Sequence, residues 1–352
     1  MSQMLTIRIL AFIFLFESSL TLIGQNPDHE VVCFIYHRFG DSRYPITNVT
    51  LNDFEAHLQY LKKNNIQVLS LSDAIQYMKS SEAHKKTVVL TIDDGYKSFY
   101  EKGFPLLKKY NYPATLFINT ETVGAADFMS WDQLEEVKKS AIEIGNHTHS
   151  HRYFLNEPVS TRYKIFEDEI LLSQSIIQEK LKISPALFSF PYGEFDEKMK
   201  EIVKKAGFQL ATAQKSGVWH EQTDHFEIPR FPMAEDYSAI KKFIEKVSMK
   251  PLKVSSQSPQ NNIITPAEKQ PKLTLTFEIA NLQIDKMQCF AQGGGCNLKI
   301  IGQEKNMVTI EVHSSTSISS RRRTLYTVTV PDKNGSWHWI SHLWINPSVD
   351  GK

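Results

Sequence analysis

The chain lacks an excess of charge of either sign, with 40 lysines and arginines against 39 aspartates and glutamates. Electrostatic binding to nucleic acid or anionic lipid requires a basic surplus, so the composition argues against both partners. Cysteine is scarce as well, and the 3 cysteines show no spacing typical of a structural zinc site. The 352 residues have ordinary apolar and aromatic content, which is typical of about two globular domains.

Long hydrophobic runs are also missing, except near the amino terminus. Residues 9–16 are consecutively apolar, and the polar Glu17 follows them. Such a run is too short to span a bilayer but is typical of a secretory signal peptide, which we place at residues 1–25. An uncleaved anchor is the alternative, because residues 20–23 partly extend the run. We expect an extracytoplasmic protein (periplasmic, cell-surface or secreted) without stable membrane insertion after signal removal.

Export from the cytoplasm affects whether the cysteines are expected to form a disulfide. Cys289 and Cys296 flank a glycine-rich stretch that allows the chain to reverse. An oxidising compartment then favours a disulfide between them. Cys33 lies inside an apolar run, so we expect a buried thiol there.

The first large region, residues 28–250, alternates short apolar runs with amphipathic helical patterns. Repeated strand-then-helix order predicts parallel strands joined by crossover helices. About seven such units favour a distorted (β/α)7-type barrel, whose active site lies at the carboxyl ends of the strands. The fold class is therefore α/β in this region.

The composition changes after residue 250. Residues 251–271 are polar and contain proline, which predicts a linker. Residues 272–352 show mostly alternating strands, which predicts a small all-β, sandwich-like accessory domain. Trp337, Trp339 and Trp344 could stack on sugar rings there, but packing in the core is favoured. The run of arginines at residues 321–323 is interpreted as a solvated loop.

Two sequence clusters carry the chemistry. Asp93 and Asp94 end an apolar strand and precede Gly95, and carboxylates avoid burial unless they are paired or bind a metal. Three histidines at positions 147, 149 and 151 supply nitrogen ligands about fifty residues later. One aspartate and two histidines form a hydrolytic metal site, and the other aspartate is then free to act as a base.

The local geometry leaves two questions open. Adjacent residues of an extended strand point to opposite sides, so both aspartates serve one site only where the chain bends, which Gly95 permits. Strand alternation aligns all three histidines, whereas a helical turn aligns only His147 and His151.

Three motifs in order are similar to a known family. Thr-Ile-Asp-Asp-Gly at residues 91–95, His-Thr-x-x-His at residues 147–151 and Phe-Pro-Tyr-Gly at residues 190–193 resemble polysaccharide deacetylases with a NodB-type domain (carbohydrate esterase family 4). The resemblance covers about residues 30–250. It implies that Asp93 is the catalytic base and that Asp94, His147 and His151 bind a divalent metal. Zinc suits these ligands, with cobalt, nickel or manganese as alternatives. His149 then falls on a variable loop position.

The chain departs from the family pattern in two places. Ser189 stands where the family has an arginine that braces the base. Arg230 is our candidate replacement, and a structural ion pair at the barrel rim is its alternative role. The late Leu-x-His motif, which supplies a general acid, is not evident, and His220 and His225 are interpreted as ordinary loop histidines.

Further details resemble the branch that deacetylates poly-N-acetylglucosamine, among them the strand that ends in Tyr36-His37 and the Pro-Arg-Phe at residues 229–231. In this interpretation Tyr192 forms the floor of a substrate groove and the backbone amide beside it holds the oxyanion. His37 lines the groove or, alternatively, sits at the edge of the core.

The expected function is an exported, metal-dependent N-deacetylase. Its partner is an acetylated polysaccharide that contains N-acetylglucosamine: poly-N-acetylglucosamine-like, peptidoglycan or chitin-like. An O-acetyl esterase acting on xylan or another glycan is one alternative. A catalytically decayed glycan-binding protein is the other, motivated by Ser189 and the missing acid.

Overall fold

The computed structural model describes residues 28–351. The expected signal peptide at residues 1–25 lies outside this range. Within the range, none of the helices combines the length and the apolar character that a membrane crossing requires. The first part is α/β and the second is all-β, so the predicted fold class is confirmed.

The α/β part extends to about residue 249. Its strands are β1 (Glu30–Tyr36), β2 (Arg38–Phe39), β3 (Asn48–Val49), β4 (Gln67–Leu69), β5 (Thr87–Ile92), β6 (Ala114–Ile118), β7 (Ile142–Asn146), β8 (Leu187–Ser189), β9 (Leu210–Thr212), β10 (Trp219–His220) and β11 (Phe231–Pro232). Its helices are α1 (Leu51–Lys63), α2 (Leu71–Lys79), α3 (Phe104–Tyr110), α4 (Trp131–Lys138), α5 (Val159–Leu181), α6 (Glu197–Lys205) and α7 (Ile240–Ser248).

Local sequence signals define several helix starts. The Thr50 hydroxyl accepts from the backbone amide of Asp53 at the start of α1, and Ser130 and Gln133 form a reciprocal capping box at the start of α4. Helix α1 buries Phe54, Leu58 and Leu61, which recur at helical spacing along one face. Burying this face in the core stabilises the helix.

The main sheet is a curled half-barrel whose strands follow the order β10-β1-β5-β6-β7-β8-β9. All neighbours in that order are parallel except β10, which pairs antiparallel with β1. Strands β4 and β11 pair parallel with β5 and β1. Strand β5 is buried at every position, which accounts for its unbroken apolar and β-branched sequence. Parallel strands bring their carboxyl ends to one edge, and there the loops after β1, β5, β7 and β8 meet.

The second part contains β12 (Lys250–Pro251), β13 (Val254–Ser258), β14 (Leu273–Glu278), β15 (Gln288–Ala291), β16 (Cys296–Glu304), β17 (Met307–Ser314), β18 (Arg323–Pro331) and β19 (Trp337–Ile345). They form two four-stranded sheets, in the orders β12-β19-β18-β15 and β13-β14-β17-β16. Every second residue of β14 and β17 is buried, as expected for sheets that pack by one face. We call this part the sandwich.

Strand β13 lies inside the predicted linker, and this differs from the irregular structure expected there. It is an edge strand whose Ser-Ser-Gln-Ser residues are exposed or half-buried, so it carries no apolar alternation. The limits of the two domains stay a prediction. The predicted disulfide between Cys289 and Cys296 is confirmed, and Cys33 is a buried free thiol as expected.

Two of the three tryptophans of β19, Trp339 and Trp344, pack against other side chains of the protein. Trp344 is buried in the sandwich core, at 2 % exposure. Trp339 contacts Phe231 of the barrel edge to face, with ring centroids 5.4 Å apart, and the Lys246 ammonium lies 3.8 Å from the Trp339 ring centre. Trp339 therefore joins the barrel to the sandwich.

Candidate active site

Both carboxylates of the Asp-Asp-Gly motif face one site because the backbone turns sharply after β5. Asp94 and Gly95 both have a φ of +75°, in the left-handed region that an extended strand never enters. As a result, Nε2 of His147 lies 3.8 Å from Oδ2 of Asp93 and 3.5 Å from Oδ1 of Asp94. The bend that the sequence required occurs at Asp94 itself as well as at Gly95. Aspartate tolerates this conformation better than most residues do.

The histidine motif follows β7 in a second irregular turn. Thr148 and His151 have φ values of +68° and +52°, so the segment is neither a strand nor a helical turn. Nδ1 of His147 donates to the Ser189 carbonyl oxygen at 2.7 Å, which leaves Nε2 without the proton. Nε2 of His151 lies 3.1 Å from Nε2 of His147 and 3.3 Å from Oδ1 of Asp94. The two imidazoles therefore present their Nε2 atoms to one carboxylate oxygen.

These atoms form a compact set of metal ligands. One ligand atom each from Asp94, His147 and His151 lies within 4.8 Å of the others. Oδ1 of Asp94 is buried, and no hydrogen-bond partner for it exists within residues 28–351. A buried carboxylate oxygen without a partner is costly, and a cation at this point would satisfy it. The residues present therefore fit a divalent metal bound by two nitrogens and an oxygen.

His149 faces away from this cluster. Its Nδ1 lies 2.9 Å from the Thr120 hydroxyl, and it does not belong to the ligand set. Of the two alignments that the sequence left open, the structure brings together His147 and His151 but not His149.

The structure places Arg230 against Asp93. Both residues are fully buried, and the guanidinium donates to Oδ1 at 2.7 Å and to Oδ2 at 2.8 Å. Its remaining donors reach the Thr91 hydroxyl, the Ser189 hydroxyl and the Ala213 carbonyl oxygen. All five N–H donors of the guanidinium are thus in use. The Ser189 hydroxyl also donates to Oδ2 of Asp93, at 3.1 Å.

Protonation in the site depends on burial and on these charges. Burial favours the neutral acid at Asp93, but Arg230 and then His147 outweigh burial and hold the pKa below its usual range. Asp94 is also buried, and His151 is the largest influence that lowers its pKa. Burial lowers the pKa of His151 to about 4. Burial acts in the same direction on His147, yet the two aspartates raise the pKa of His147 above its ordinary value. When His147 and His151 are neutral, as metal ligands must be, two ionised carboxylates and one guanidinium leave a net negative charge that a cation would offset.

His37 and Tyr192 lie at the opening of the site, in the wall of one cavity of about 540 Å³. Tyr192 occupies the turn after β8 with a φ of +58°, and its ring lies 4.4 Å from that of His151. The Tyr153 ring stacks on it at 3.7 Å between centroids. Burial lowers the pKa of His37, although Asp94 and Asp93 act in the opposite direction. Both residues therefore line a cavity that lies beside the ligand cluster.

The sandwich holds the Tyr192 turn in place through contacts that no sequence pattern predicts. Arg322 is 6 % exposed and donates to both carboxylate oxygens of Glu194, at 2.6 and 2.7 Å. Arg323 donates to the Tyr192 carbonyl oxygen at 2.9 Å. The interpretation of residues 321–323 as a solvated loop is therefore wrong for Arg322. Its partner lies 128 positions away, and no local pattern indicates such a contact.

The two other histidines considered as general acids lie elsewhere. His220 pairs with Glu30 at the amino end of β1, whereas His37 follows the carboxyl end of the same strand. The backbone oxygen of His225 accepts from Ala211 in the middle of β9. Neither histidine belongs to the ligand cluster.

Sequence comparisons relate part of this chain to polysaccharide deacetylases. Residues 80–211 match the sequence model of the family described as polysaccharide deacetylase. The chain is 27 % identical over 213 residues to the poly-β-1,6-N-acetyl-D-glucosamine N-deacetylase of Staphylococcus aureus, which covers 58 % of this chain and 73 % of that protein.

Solved structures share the fold of about 62 % of this chain. IcaB from Ammonifex degensii superposes with a TM-score of 0.56 at 25 % identity, over 62 % of this chain and 97 % of that one. The deacetylase PplD from Streptococcus pyogenes, in complex with acetate, superposes with a TM-score of 0.57 over 62 % of this chain and 98 % of that one. At 19 % identity, PplD supports the fold alone.

Proposed function

Because this chain belongs to the polysaccharide deacetylase family, we propose that it is an exported, metal-dependent enzyme that hydrolyses acetamide groups of an N-acetylglucosamine polymer. The observation that carries the proposal is the cluster of Asp94, His147 and His151 beside the Asp93–Arg230 pair. The named activity of the Staphylococcus aureus relative favours a poly-N-acetylglucosamine-like substrate over peptidoglycan or chitin. The disulfide in the sandwich is consistent with export into an oxidising compartment.

In this proposal Asp94, His147 and His151 hold the metal, with zinc as the first choice and cobalt, nickel or manganese as alternatives. When bound, the cation supplies Lewis-acid chemistry at the acetyl carbonyl. The hydrogen bond from Nδ1 of His147 to the Ser189 carbonyl fixes the ring orientation, so Nε2 faces the cation.

Asp93 is the proposed base that takes a proton from the attacking water. Arg230 keeps this buried carboxylate ionised and holds it in one orientation through two hydrogen bonds. In this assignment Arg230 performs the bracing that the family pattern places at the position of Ser189. Ser189 contributes by donating to Oδ2 of Asp93.

Tyr192 and His37 are proposed to contact the sugar, since both line the cavity next to the cluster. The backbone amide of the Tyr192 turn is the proposed hydrogen-bond donor to the oxyanion that forms at the acetyl carbon. The contacts of Arg322 and Arg323 hold that turn at a fixed position relative to His151.

The test is acetate release from a panel of defined glycans, with and without a chelator. We expect release from poly-N-acetylglucosamine or chito-oligomers, loss of release after metal removal, and recovery when zinc is restored. Release from acetylated xylan alone would replace the proposal with an O-acetyl esterase. Metal binding with no release from any acetylated substrate would support a glycan-binding protein instead.

A further inference from the structure

The groove beside the ligand cluster is built by both parts of the chain. His37 and Tyr192 of the barrel line the cavity of about 540 Å³ on one side, and Gln292 and Arg321 of the sandwich line it on the other. Ligand sites typically have volumes of about 300–1,000 Å³. The sandwich is therefore part of the groove wall and not a separate appendage.

A second cavity, of about 400 Å³, continues from the first along the boundary between barrel and sandwich. Five residues line both cavities: Ser216, Pro232, Tyr237, Gln292 and Leu325. The shared wall makes one continuous groove that begins beside the Tyr192 ring, 4.4 Å from the ring of His151, and extends along the sandwich. A polymer is the kind of ligand that fills a groove longer than a single reacting group.

The second cavity exposes aromatic rings. Tyr237 is 52 % exposed, Phe290 is 53 % exposed, and Trp339 is half-buried in the same wall. Large apolar side chains that gather at one exposed cavity mark a binding surface. Pyranose rings present apolar C–H faces that pack on aromatic rings, while their hydroxyl and acetamide groups remain free for hydrogen bonds.

The first cavity supplies a polar group without a partner. Nε of Arg321 is buried, and it has no hydrogen-bond partner within the described residues 28–351. The ion pairs that Arg322 and Arg323 form with Glu194 do not include Arg321. Because an unpaired buried donor is unfavourable, an oxygen of a bound ligand would stabilise it.

We propose that the sandwich binds the sugar units next to the one that loses its acetyl group, with Phe290 packing on a pyranose face and Arg321 donating to a hydroxyl or acetyl oxygen. The ligand is a neutral, acetylated hexosamine chain, and the proposal rests on the proposed function for its substrate class. The sandwich then determines how strongly the enzyme prefers long chains.

The experiment compares kcat/KM on N-acetylglucosamine oligomers from dimer to octamer for Phe290→Ala and Arg321→Ala. Matched controls are Ile301→Ala and Lys299→Ala, exposed residues of β16 that lie outside both cavities. We expect the ratio of octamer to dimer kcat/KM to fall about 3- to 10-fold in each groove variant, because KM for the octamer rises. A change of this size corresponds to the loss of one aromatic or polar contact. The two controls should keep the wild-type ratio. An unchanged ratio in the groove variants, or an equal fall in the controls, would overturn the proposal.

Direct binding separates this proposal from the proposed function. Calorimetry with chelator-treated protein and the intact octamer measures affinity without turnover. Weaker binding of Phe290→Ala, by a similar factor, supports the groove even if the wild type releases no acetate, which would refute only the enzymatic function. If the wild type releases acetate but Phe290→Ala binds the octamer as tightly as the wild type does, only the groove proposal is refuted.

Discussion

The contact between Arg230 and Asp93 leads to a quantitative prediction for the Arg230→Met variant. Methionine fills much of the same space but carries neither charge nor donors. The change leaves the ionised Asp93 carboxylate fully buried, with the Ser189 hydroxyl as its remaining hydrogen-bond donor within the described chain. Removing one partner of a buried ion pair costs about 3–5 kcal/mol, because the other charge stays desolvated.

This loss is a large part of the whole stability, since a folded domain is stable by about 5–15 kcal/mol. We therefore expect Arg230→Met to remain folded at 25 °C with a clearly lower midpoint of urea unfolding. The measurement uses chelator-treated protein, so that metal binding does not add to the stability of the native state. Acetate release should also be lost, since Asp93 is no longer held in its orientation.

A double-mutant cycle tests the cause of the loss. Adding Asp93→Asn to Arg230→Met removes the unpaired charge, and we expect it to restore about 1–3 kcal/mol of the lost stability. Arg152→Met is the matched control. Its guanidinium also pairs with a carboxylate, that of Glu169 at 3.1 Å, but its side chain is 45 % exposed, so its loss should be below about 1 kcal/mol. A cost below about 1 kcal/mol for Arg230→Met, or no recovery in the double variant, would refute the reasoning.

Three further predictions concern the base, the disulfide and a buried histidine. Asp93→Asn should bind metal with the wild-type stoichiometry yet release almost no acetate; unchanged turnover would exclude Asp93 as the base. Replacing Cys289 and Cys296 by serine should destabilise the sandwich by about 2 kcal/mol, the value for closing a short loop, and a reductant should change the unfolding midpoint of the wild type alone. Burial lowers the pKa of His57 to about 4, so the native state binds fewer protons than the unfolded chain. Stability should fall by up to about 3 kcal/mol as the pH drops from about 6.5 to 4, and His57→Gln should flatten this fall in denaturation curves recorded across that range.

Much of the fold could be predicted because its signals are local. The unbroken apolar run of β5 reflects burial on both faces, and the alternation in β14 and β17 reflects burial on one face. Strand β13 escaped prediction because an edge strand with polar side chains carries neither signal. An apolar sequence pattern indicates which side chains are buried, and an exposed edge strand buries few of its side chains.

Some residues of the candidate site could likewise be predicted from the sequence, and others could not. Asp94 and the histidine motif could be nominated from the sequence because metal ligands of these types cluster at the ends of barrel strands. The choice of His151 over His149 depends on left-handed turns that no periodicity describes. Arg322 was misinterpreted because its partner Glu194 lies on another part of the fold.

The sequence by itself determined the alternation of strands and helices in the α/β part, the chemical types of the candidate ligands and the cysteine pair. These properties depend on neighbours along the chain, where steric and hydrophobic preferences act over a few residues. Only the tertiary structure decided that Arg230 lies against Asp93 and that the sandwich forms one wall of the groove. Such contacts join residues more than a hundred positions apart, and the packing of the whole fold brings them together.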